Sequence, residues 1–138
     1  MKSLLSVLVA VAFVAGFAGE SAKKITVTGT FIDTKCYRMN HDNVENEHAV
    51  MQGDEIMKMP NCATACAAMG IPVGILKDGK KDGEVFVLIT PSVALSSHLA
   101  KTARVTGELA YPGAIIPGKI EVKNDDGKWE EVSVATMM

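Results

Sequence analysis

The sequence predicts a mainly β protein, a small five-stranded Greek-key barrel of the oligonucleotide/oligosaccharide-binding (OB) type. A helix precedes its fourth strand and a Cys-bearing helix is inserted after its first. Three observations predict this. Two separated stretches, 25–33 and 103–109, alternate apolar with polar at period two and share the word Val-Thr-Gly. A hairpin pattern lies between them, and a single helical pattern sits just before the second stretch, the order that such a barrel shows.

The chain begins Met1-Lys2-Ser3 and runs apolar from Leu4 to Ala18, with Gly16 and Ala18 as small residues before a cleavage point after Ala18. A short basic start, an apolar middle and small residues at the end are the parts of a secretory signal peptide, read here as residues 1–18. A membrane span needs about 20 apolar residues, and this run stops at Glu20. The competing reading is an uncleaved anchor. No Cys stands at the cleavage point to take a lipid. The expectation is therefore a periplasmic or secreted chain, 19–138, with no membrane attachment after cleavage and one domain. Of 14 Lys+Arg, Lys2 falls in the leader, so the mature chain carries fewer basic residues than its 16 Asp+Glu. Such a chain, with no basic cluster, lacks the phosphate-neutralising surface that nucleic-acid binding requires.

In the first stretch, Ile25 to Asp33, β-branched residues alternate and Gly29 marks a bend. Val73–Lys77 and Glu84–Ile89 flank Asp78-Gly79-Lys80-Lys81-Asp82-Gly83, a turn linking two strands. The unbroken apolar run Val85–Ile89 predicts a strand buried on both faces. Thr90-Pro91 opens a helix carrying Val93, Leu95, His98 and Leu99 up to Lys101. Ala103–Leu109, Ile115–Val122 and Lys128–Val134 supply the remaining strands, the last two around Asn124-Asp125-Asp126-Gly127.

Residues 34–72 interrupt this pattern and hold all three Cys, two of the three His and five of the eight Met. The first half, around Asp42–Glu47, is polar and reads as loop. In the second half, Asn61 is a candidate N-cap, Cys62–Met69 is Ala-rich, and Gly70 suits a left-handed C-terminal position, so a short helix is expected. On it Cys62, Cys66 and Met69 share a face. Cys62 stands in the first turn, where the helix dipole favours a thiolate.

Two chemistries fit these sulfurs. In an oxidising compartment, Cys36 can bridge to Cys62 or Cys66, closing a loop of about 30 residues for roughly 3 kcal/mol. That would leave one thiol over in a non-enzymatic interaction domain. Alternatively Cys36, Cys62 and Cys66 with His48, or less well His41, form a Cys₃His set for zinc. The same thiolates amid Met39, Met51, Met57, Met59 and Met69 are the soft donors that select Cu(I). Of these, Met57, Met59 and Met69 are weaker candidate ligands, a Met on a helix face such as Met69 being more often core filling than ligand. The leading expectation is a soft-metal binder, Cu(I) ahead of Zn(II), that carries, sequesters or delivers its ion to a partner protein. Thiol redox catalysis is disfavoured because the spacing is Cys-x₃-Cys and not Cys-x₂-Cys. Asp33 and Asp42 flank the cysteine segment as acceptors for a ligating His or as turn residues. Ser96-Ser97-His98 suggests no acid partner, and no hydrolase constellation stands out.

The set Val27-Thr28-Gly29, Asp33-x₂-Cys36-Tyr37, Cys62-x₃-Cys66 and Gly70-Ile71-Pro72-Val73-Gly74 resembles a group of small, uncharacterised bacterial exported proteins. The resemblance covers Ile25 to Leu76, with the later Val-Thr-Gly also fitting. It implies an extracytoplasmic barrel whose three Cys act as one unit, and brings no activity with it. In that group a His closely precedes the Cys-x₃-Cys. Here the nearest such residue, His48, is separated from Cys62 by a Met-rich stretch.

Overall fold

A computed structural model describes residues 22–134. The predicted leader, 1–18, lies outside the described residues. Strand β1, Lys24–Asp33, has the alternation its sequence carries: Val27, Gly29 and Phe31 are buried between exposed or half-buried threonines. It pairs antiparallel with β6, Thr102–Tyr111, along its first part and with β4, Val73–Lys77, along its second. Strand β4 continues to β5, Val85–Leu88, which runs parallel to the start of β7, Ala114–Lys123. Strand β7 pairs with β6, which closes the ring β1-β4-β5-β7-β6. This is the predicted five-stranded barrel. A short β8, Trp129–Glu131, adds to the far end of β7.

The repeated Val-Thr-Gly has a physical reason. Val27 and Val105 are register partners in adjacent strands, and both are buried in the barrel. A Cβ on Gly29 would stand 2.0 Å from the Leu76 carbonyl oxygen, and one on Gly107 would stand 2.2 Å from that of Ile116. Each glycine is thus where a curving strand lets its neighbour's backbone approach. Gly107 also marks a register shift against β7.

Three expected elements differ in detail. The helix after Thr90 is a 3₁₀ segment, Ser92–His98, so residues three apart share a face: Ser92 and Leu95 are buried while Val93 is exposed. Strand β5 is buried on one face only. Phe86 and Leu88 enter the core, whereas Val87 and Ile89 line an apolar groove of about 1010 Å³ with Met69, Pro72, Val93 and Ile116. An apolar run is the same for a buried face and a groove wall. The expected strand Lys128–Val134 is shortened to β8.

The insertion contains more order than expected. Residues Thr34–Met39 form a short helix α1, a tight-turn segment follows, and His48–Gln52 (β2) and Glu55–Met59 (β3) make a hairpin paired only with itself. The predicted cysteine helix is α2, Cys62–Ala68. Its Ala63 and Ala67 are in the barrel core with Leu95 and Leu99, because alanine lets the helix lie close across the barrel end. That orientation turns Cys62 and Cys66 the other way, toward the insertion. No helix among the described residues is long and apolar enough to cross a membrane.

Candidate metal centre

Cys36 arrives on α1. That helix starts immediately after β1 because Asp33 caps it, its Oδ1 accepting from the backbone N–H groups of Lys35 (2.9 Å) and Cys36 (3.4 Å). Asn43, buried, then fixes the far side: its Nδ2 donates to the Cys36 carbonyl oxygen at 3.1 Å and its Oδ1 accepts from the Ala49 N–H at 3.2 Å. Those two bonds tie α1 to β2.

Cys62 and Cys66 arrive on α2, whose start is not capped as expected. Asn61 lies in the left-handed region (φ 56) and its side chain makes no cap bond. The cap comes from Asn46, fifteen residues earlier. Its Oδ1 accepts from the Thr64 N–H (2.9 Å) and hydroxyl (3.0 Å), and its carbonyl oxygen accepts from the Ala63 N–H (3.2 Å). Gly70 takes the expected left-handed position, with φ 95.

The result is a sulfur cluster, with Val50 and Ile71 packed against it. The three thiols are unbridged and buried, and their Sγ atoms lie within 4.8 Å of one another. A second triad shares Cys36: a carboxylate oxygen of Asp33, the Cys36 Sγ and a ring nitrogen of His48 also lie within 4.8 Å of one another. His48 is fully buried. Its Nε2–H donates to the Glu45 carbonyl oxygen at 2.9 Å, so Nδ1 carries the lone pair, and Nδ1 is buried with no hydrogen-bond partner. Asp33 is 1% exposed, and no N–H or O–H donor reaches its Oδ2. His48 Nδ1 is therefore desolvated without a donor, and the Asp33 carboxylate has beyond its cap only the neighbouring thiols as donors, each at a cost unless something else engages it.

Burial, then hydrogen bonding to Asp33 and its charge, then the neighbouring thiols, push the Cys36 thiol far up from the ordinary range. Burial, then hydrogen bonding to Asp33 and its charge, then Cys62, push Cys66 up to about 11, against a lowering by its hydrogen bond with Cys36. Thiols raised in this way are held protonated, the opposite of a nucleophile activated by a lowered pKa.

The remaining sequence candidates separate from the cluster. His41 stacks on Tyr37 (ring centroids 4.6 Å apart) and pairs with Asp82 at the surface. Met57 and Met59 are exposed on β3, and Met69 is 75% exposed at the end of α2, neither core filling nor inside the cluster. Asp42 pairs with Lys81. Met39 and Met51, by contrast, help to line a cavity of about 160 Å³ that also exposes Cys36 to its interior. In the sequence Asp33 reads as an outer acceptor or turn residue, whereas in the structure one of its carboxylate oxygens lies within 4.8 Å of the Cys36 Sγ. The signal available was a carboxylate three residues before a candidate ligand, which is common in turns and so carries little weight alone. Comparison of the chain with protein-family profiles, curated proteins and solved structures finds no match.

Proposed function

We propose that the protein is an exported, periplasmic or secreted binder of a soft transition metal, Cu(I) ahead of Zn(II), that carries, sequesters or delivers the ion to a partner protein. The observation that carries this is the mutual approach of three unbridged, buried sulfurs within 4.8 Å, one from α1 and two from α2. Around a single ion with metal–sulfur bonds near 2.3 Å, three sulfurs stand about 4 Å apart, so the contraction needed is small. Three thiolates suit Cu(I), a soft d¹⁰ ion satisfied by three donors. The cavity beside Met39 and Met51 supports access for a soft ion, since thioethers hold Cu(I) weakly enough to pass it on.

The test is Cu(I) titration of the anaerobically purified protein against a chromophoric chelator, with free thiols counted in parallel. One Cu(I) per chain is expected. Cys62→Ser or Cys66→Ser should weaken binding by more than about 100-fold, beyond what loss of an outer-shell partner costs, with the far-UV circular dichroism unchanged. A native protein with one free thiol, one disulfide from Cys36 and no metal would establish the disulfide-stabilised interaction domain instead.

A further inference from the structure

The Asp33/Cys36/His48 triad has a different donor character from the sulfur triad beside it. We infer that it is a second cation position, for a borderline divalent ion of the Zn(II) class, joined to the first through the Cys36 thiolate. This rests on the sulfur triad as a metal centre only for the bridge; its other two ligands, Asp33 Oδ2 and His48 Nδ1, belong to neither α2 cysteine.

Four observations support it. First, the three donor atoms lie within 4.8 Å of one another and comprise one O, one N and one S, a mixed set that zinc accepts at bonds of about 2.0 to 2.3 Å. Second, His48 Nδ1 has no hydrogen-bond partner and Asp33 Oδ2 has no N–H or O–H donor, and both residues are almost wholly buried, Asp33 at 1% and His48 at 0% exposure. Neither bonds to the other, although a protonated His48 Nδ1 could serve Asp33. Third, each is aimed by its second atom. The Nε2–H of His48 is held by the Glu45 carbonyl, the outer-shell arrangement typical of metal-bound histidine. Oδ1 of Asp33 is held by the N–H groups of α1, which leaves Oδ2 to point inward.

The fourth is charge. Once metal binding displaces the thiol protons, three thiolates and the Asp33 carboxylate would carry four negative charges in a buried site. One Cu(I) offsets one of them, and the remainder is a burden that low-polarity surroundings do not tolerate without further cations. A divalent ion at the second position brings the cluster close to neutral. Bridging asks nothing unusual of Cys36, because a thiolate bound to one ion retains lone pairs for another.

The experiment loads reduced protein with one equivalent of Cu(I) and then titrates Co(II), a spectroscopically visible substitute for Zn(II). Wild type should bind one Co(II) on top of Cu(I), with intense visible bands of low-coordinate Co(II) and a thiolate-to-Co(II) band in the near ultraviolet. Asp33→Asn keeps the Oδ1 cap on α1, and His48→Gln keeps a polar side chain at that position. Each should weaken Co(II) binding by about 10- to 100-fold or more while one Cu(I) still binds. If Cu(I)-loaded wild type takes up no Co(II), the second position is overturned and the sulfur centre stands. Equal Co(II) affinity in wild type and both variants also overturns it. If Cu(I) fails to bind while Co(II) binds in an Asp33- and His48-dependent way, the second position stands and the proposed copper function falls. The wild-type titration decides the question even if a variant does not fold.

Discussion

At the scale of single residues, Asn46 does work that its sequence position conceals. It closes three donors at the start of α2 from the other side of the hairpin, so the helix carrying Cys62 and Cys66 is oriented by the insertion and not only by its own flanks. Asn46→Ala should cost about 1–2 kcal/mol in urea unfolding, the range for losing a helix cap. It should also weaken Cu(I) binding, whereas Asn61→Asp, which keeps the Oδ1 that accepts from Asn46 Nδ2 at 3.2 Å and tolerates the left-handed φ of 56, should leave the cap intact. Unfolding midpoints for the two variants check the assignment; equal losses would contradict it. Asn61 is the residue sequence reasoning selects because caps are recognised by adjacency. The cap chosen by the fold satisfies the same orphan N–H groups from a distance, which adjacency cannot reveal.

Among the elements, the β2–β3 hairpin is the least supported. Its strands pair only with each other, all five residues of β3 are exposed, and Met51 and Ile56 face solvent at 67% and 72% exposure. A two-stranded sheet without a packed face is marginal in water. Amide hydrogens within 49–58 should therefore exchange well before those of β1 and β6 in a native-state hydrogen-exchange experiment. Protection equal to that of β1 would mean that the hairpin is covered by something else. The end of the hairpin nearest the barrel is different, since His48 is wholly buried there. The hairpin's Met content was legible in the sequence, but its strand structure was not: Met and Lys are weak strand signals, and Gly53-Asp54 reads as generic loop. The barrel strands were legible because each alternates against a buried face, and α2 because alanine, a terminal glycine and the four-residue Cys spacing agree locally.

For the molecule as a whole, the barrel carries a polar clasp on its outer face. Glu121 of β7 accepts from Arg104 Nε of β6 at 2.9 Å and pairs with Lys119 at 3.0 Å, while the Arg104 guanidinium lies 4.6 Å over the Trp129 ring of β8. Arg104 first, then Lys119, holds the Glu121 carboxyl down to about 2 from an ordinary 4.5. A carboxyl whose folded pKa is depressed contributes stability that is complete above the unfolded value and is lost as pH falls through the folded one. The stability difference between wild type and Glu121→Gln should accordingly be constant above about pH 5 and shrink between about pH 4.5 and 2. Thermal unfolding of both proteins across that range measures it; a difference independent of pH would show that the clasp does not act through charge. Added salt should reduce the difference, because the basic partners are exposed.

What the sequence determined by itself is everything that depends on near neighbours: period-two strands, turn chemistry, the glycines at which strands approach, and a helix presenting two thiols on one side. These follow from backbone sterics and from which faces must leave water, so a short window suffices. Only the tertiary structure decided what the thiols meet. Asp33 meets Cys36 locally through the α1 cap, but His48, fifteen residues after Asp33, comes within 4.8 Å of both only because the insertion folds back on α1, where Asn43 ties that helix to β2. The tertiary structure also separated His41, Met57, Met59 and Met69 from the cluster. The reason is that burial is shared among distant segments, and a donor becomes a ligand candidate only where folding removes its water and leaves its lone pair without another partner.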